Sequence, residues 1–106
     1  MAEWVPIWIS RLKTEIQRTE GDLEGEIMHF WQSIKIEPEK WAEKDFGDEV
    51  GGFWVVAVHK DKVIWYNDIE DWFNISGFKK LGEIAEYSCD QDELSWAVTK
   101  LYRWKE

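Results

Sequence analysis

One hundred and six residues fit one domain, spanning 1–106, and can bury a core without disulfides or a structural metal. Thirteen basic side chains stand against 22 acidic ones, a formal charge of −9, which disfavours docking on phosphate backbones or anionic membranes and suits a basic protein partner. Nine tryptophans are more than a core of this size hides, so some are expected at the surface.

Trp4, Trp8, Leu12 and Ile16 recur every four residues, with Val5 and Ile9 beside them, which predicts a first helix. Pro6 suits its first turn and Gly21 its end. Asp22 is the expected cap of a second helix, whose stripe is Leu23, Ile27, Phe30, Trp31 and Ile34. Glu37-Pro38-Glu39-Lys40-Trp41 reads as a turn that starts one more helical turn at Pro38. Residues 42–52 read as a loop, with breakers at Asp45, Gly47, Asp48, Gly51 and Gly52. Acidity concentrates nearby: residues 21–49 hold nine acids and three bases, a local −6.

Phe53–His59 is apolar at alternating and intervening positions, the pattern of a strand covered on both faces. Lys60-Asp61-Lys62 is the turn, and residues 63–67 return as the partner strand. Phe73 and Ile75 alternate with Trp72, Asn74 and Ser76, which predicts a third strand. Residues 83–88 make a weaker fourth. Asp90 and Glu93 have capping-box spacing before a final helix with the stripe Leu94, Ala97, Val98 and Leu101. The fold class is therefore α+β: a three- or four-stranded antiparallel meander packed against N-terminal helices and a C-terminal helix. Trp4, Trp8, Trp31, Trp54 and Trp96 are assigned to the core. Trp41, Trp65, Trp72 and Trp104, each beside polar residues or a loop, are assigned to the surface.

Catalytic chemistry is weakly represented. Cys89 with His29 or His59 lacks any nucleophile signature around it. Its being the only cysteine excludes an internal disulfide, and with no leader sequence or long apolar run the expected location is the cytoplasm. No Cys or His spacing suits zinc. The acidic runs at Asp45–Glu49 and Asp68–Asp71 do not follow the order of a calcium loop, so no cofactor or metal is expected. The glycines between Gly47 and Gly52 carry acids where a phosphate cradle needs bare N–H groups.

The strongest local candidate is Trp65-Tyr66-Asn67-Asp68 followed by Glu70 and Asp71. An aromatic plate beside amide and carboxylate groups can hold a protein partner or a sugar. Asp48 and Glu49, in the loop Asp45–Gly52 expected to face that end, are candidate binding residues as well, and Glu49 with Asp68 is the pair a hydrolase would need.

Two stretches, Gly47-Asp48-Glu49-Val50-Gly51-Gly52-Phe53-Trp54-Val55-Val56-Ala57-Val58 and Trp65-Tyr66-Asn67-Asp68-Ile69-Glu70-Asp71-Trp72-Phe73-Asn74, resemble a family of small uncharacterised bacterial proteins. Gly82-Glu83-Ile84 and Gln91-Asp92-Glu93-Leu94 extend the resemblance over about 28–98. It implies no activity, and its members tend to carry glycine where this chain has Trp72. The functional expectation is a non-enzymatic acidic protein that recognises a basic protein partner in an immunity-like or regulatory role. The alternative is a small-ligand or carbohydrate-binding module at the sheet end. Nucleic acid and membrane are not expected partners.

Overall fold

Phe53–His59 forms β2 and is apolar almost throughout because both of its faces are covered. In the computed structural model, which describes residues 7–44, 51–69, 72–87 and 90–104, two helices precede this strand, α1 (Ile9–Asp22) and α2 (Gly25–Ile34). They are followed by β1 (Lys35–Trp41), then β2, β3 (Lys62–Tyr66), β4 (Phe73–Gly77) and α3 (Leu94–Trp104). The sheet is an antiparallel meander in the order β1-β2-β3-β4, and the protein is α+β. Ile34 and Lys35 join helix to strand without a loop, while Lys60, with φ of 55°, turns the chain tightly between β2 and β3.

Alternation along the strands builds two cores on one sheet. Val56, Ile64, Tyr66, Phe73 and Ile75 face the helices and meet Leu12, Phe30, Trp31, Leu94, Val98 and Leu101. Trp41, Phe53, Val55, Val63 and Trp65 face the other way, where Ile84, Phe78 and Tyr87 from the chain after β4 close over them. A bulge between Val55 and Ala57 lets the neighbours Val56 and Ala57 share the helical side.

Several elements differ from the sequence reading. Residues 35–41 form an edge strand, not a turn with a helical start at Pro38. Pro38 lies where the β1–β2 register shifts, at a sheet edge that tolerates a missing N–H. Residues 83–87 do not form a further strand. They cross beneath the sheet, bridging Ala42 through Gly82 and Ile84 and reaching Gly77 through Ala85. Glu83 and Glu86 point outward and only Ile84 is fully buried, so the segment plugs a core instead of lengthening a sheet.

Helix ends also shift. α1 starts at Ile9, leaving Trp8 before it, extended and exposed; the expected starting residues Trp4 to Pro6 lie outside the described residues. Asp22 closes α1, and Glu24 takes the capping position of α2 without a side-chain cap bond. Glu93, not Asp90, immediately precedes α3, and its carbonyl accepts the Trp96 and Ala97 N–H groups. The Asp90 N–H is instead used by the Asn74 side chain.

Two backbone positions are tightly constrained. Gly52 has φ of 106°, and a Cβ there would collide with the Trp41 carbonyl. Trp72 has φ of 86°, a region that disfavours bulky side chains.

Candidate functional site

The residues singled out at the sheet end do not converge. Trp65 is 0 % exposed, packed at 4.7 Å from Phe53, with its indole N–H donating to Ser76 Oγ at 2.9 Å. Tyr66, its neighbour in the strand, faces the helical core and meets Phe73 edge-on at 5.1 Å. Asn67 is buried; it donates from Nδ2 to the Tyr87 hydroxyl and accepts the Ile69 N–H. Asp68 is buried too, and its Oδ2 accepts the Ile7 N–H at 2.7 Å, fastening the start of the described chain to the β3–β4 connection. Alternation and local hydrogen bonding therefore consume the residues that the sequence placed on one plate. Glu70, Asp71, Asp48, Glu49 and Cys89 lie outside the described residues.

The tryptophans sort differently from the sequence assignment. Trp31, Trp41 and Trp65 are buried and Trp54 is half-buried. Trp8, Trp72, Trp96 and Trp104 are 76 %, 42 %, 46 % and 56 % exposed. The surface expected of Trp41 and Trp65 thus belongs to Trp8 and Trp96, while Trp72 and Trp104 are exposed as expected. Trp41 and Trp65 fall on the sheet face that the chain after β4 covers, and no local pattern announces that cover. Trp96 lies on the face of α3 opposite the stripe Leu94, Ala97, Val98 and Leu101, a placement that helical periodicity does contain. Arg103 sits 5.8 Å over the Trp96 ring.

Trp72 stands between two grooves. One, of about 390 Å³, is lined by Ile7, Arg11, Glu15, Arg18, Tyr66 and Phe73 with Trp72 itself. The other, of about 310 Å³, continues past Glu15, Arg18, Trp72 and Phe73 to Asp22, Glu93 and Ser95. α1 supplies one wall because Arg11, Glu15 and Arg18, spaced four and three apart, recur on one flank of the helix. The ends of β3 and β4 and the start of α3 supply the rest. Arg18 pairs with Glu15 at 2.6 Å.

A further cleft of about 290 Å³ lies between α1 and the β1 edge. Its charges neutralise one another: Lys13 pairs with Glu37 at 2.5 Å, and Glu20 accepts both Lys35 and the Trp31 indole N–H, at 3.0 and 2.7 Å. Burial pushes the Glu20 carboxyl up, yet the Trp31 and Lys35 bonds outweigh it and hold the group below its ordinary value. That cleft is a structural clamp between helix and sheet. Among the described residues, no three His, Cys, Asp or Glu side chains gather as a metal site, and no helix is long and apolar enough to cross a membrane.

Comparison with protein-family models, with curated proteins and with solved structures gives no match for this chain. The site has to be read from its own geometry.

Proposed function

We propose that the chain is a protein-recognition domain that binds a basic partner, in a regulatory or immunity-like role. The observation that carries this reading is the set of solvent-facing tryptophans, with Trp72 poised between two grooves. Exposed indoles cost solubility without stabilising the fold, whereas at protein interfaces tryptophan and arginine dominate binding energy. The formal charge of −9, with Asp22, Glu24, Glu26, Glu37 and Glu39 all exposed, favours a partner of opposite sign. The small-ligand reading loses its main support, because Trp65 offers no open ring face.

The test begins with affinity capture on the immobilised protein, identification of what is retained, and measurement of Kd with the purified pair. A basic protein whose binding is lost in the Trp72→Gly variant supports the reading. Failure to retain any protein, or a pair whose Kd ignores Trp72, Trp96 and Trp8 alike, refutes it.

A further inference from the structure

We infer that the two grooves flanking Trp72 together receive an extended segment of the partner, with a carboxylate at one end and a cationic side chain about five residues away. This rests on the protein-recognition reading and gives it an address and a sequence preference.

The two grooves adjoin at Glu15, Arg18, Trp72 and Phe73, which line both, so together they make a channel that passes Trp72 along the flank of α1 carrying Arg11, Glu15, Arg18 and Asp22. Its charges are ordered. Arg11, at the Ile7 end, is exposed and has no ion-pair partner among the described residues. Glu15 and Arg18 cancel each other in the middle. Asp22 and Glu93, at the α3 end, are exposed and likewise have no cationic partner among the described residues. Among the described residues that line it, the channel is thus positive, neutral and then negative along its length.

Arg11 and Asp22 are eleven residues apart on one helix, about 16 Å at the α-helical rise. An extended chain covers that distance in about five residues. The half-exposed Trp72 ring lies between the ends, where an apolar side chain or the stem of a lysine can rest on it. Nucleic acid fits poorly, because the Asp22 and Glu93 end repels phosphates. A basic partner fits well: its cationic side chain meets Asp22 and Glu93, close in sequence to the exposed Glu24 and Glu26. Trp72 is held at φ of 86°, and strain of this kind persists where the surrounding structure enforces it.

The probe is a blocked hexapeptide, Glu-Ala-Ala-Leu-Ala-Lys, followed by indole N–H resonances in ¹⁵N-labelled protein, with the Trp72 signal identified by its loss in Trp72→Gly. The expected result is a saturable shift of that signal with Kd of about 1 mM or below. A peptide with lysine at both ends binds at least about tenfold more weakly to the native protein, a difference of about 1.4 kcal/mol. Arg11→Glu reverses the preference between the two peptides. Lys79→Glu, an exposed site elsewhere with the same change in net charge, leaves it unchanged. No shift of the Trp72 signal at about 1 mM peptide overturns the inference. Equal effects of Arg11→Glu and Lys79→Glu overturn it as well. So does a concentration-dependent homodimer that Arg11→Glu dissociates, since a second copy would then fill the channel. If the purified partner binds native protein and Arg11→Glu equally, the channel is wrong and the recognition reading stands. If no partner is retained at all, the recognition reading itself falls.

Discussion

Trp72 brings the tension between stability and surface down to one residue. Its φ of 86° suits glycine, and its ring is half out in solvent. Trp72→Gly relieves the backbone and Trp72→Ala does not, while both remove the ring. The glycine variant should therefore be the more stable of the two by about 1 kcal/mol, the reverse of the usual order, as read from urea unfolding midpoints. Glu20 offers a second test at this scale. Its carboxyl is held below the ordinary value, so its contribution is present above the unfolded-state pKa and disappears as pH falls through the folded one. Native protein should lose stability on acidification below about pH 4.5, and Glu20→Gln should flatten that part of the profile while costing about 1 kcal/mol at neutral pH. Thermal melts across an acid pH series check both. An unchanged acid slope in Glu20→Gln would remove the clamp from the account.

Among the elements, the hairpin from Phe53 was legible because apolar density on both strand faces is a direct record of two covers. The final helix was legible from the stripe at Leu94, Ala97, Val98 and Leu101. β1 was not, because charged residues and Pro38 describe an edge strand only once its neighbour is known. The crossing at 83–87 was hidden for a related reason: one buried Ile84 has no period. The same limit affected the site. Strand alternation alone predicts that Trp65 and Tyr66 face opposite ways, but which faces are covered is a tertiary fact, and it removed four residues from the expected surface. The junction of β1 and β2 carries its own prediction. Gly52→Ala places a Cβ against the Trp41 carbonyl at a positive φ and should cost about 3 kcal/mol, enough to lower the urea midpoint sharply. An Ala variant as stable as the native protein would show that this approach is not held.

At the scale of the molecule, one sheet carries two cores and leaves its spare tryptophans outside, on a body of net charge −9. Binding of a basic partner should weaken steeply as salt rises from about 0.1 M to about 1 M, where the screening length falls from about 10 Å to about 3 Å. A salt-independent Kd would leave the exposed acids without a role. The most direct test compares two tryptophans in one binding measurement on the purified pair. Trp72→Gly keeps the fold and should raise Kd about 30-fold or more, as loss of an interfacial anchor does. Trp65→Phe, inside the second core, should leave Kd within about threefold of native. A partner that binds Trp72→Gly as tightly as native protein, and fails with Trp65→Phe in a variant that still folds, would contradict the account.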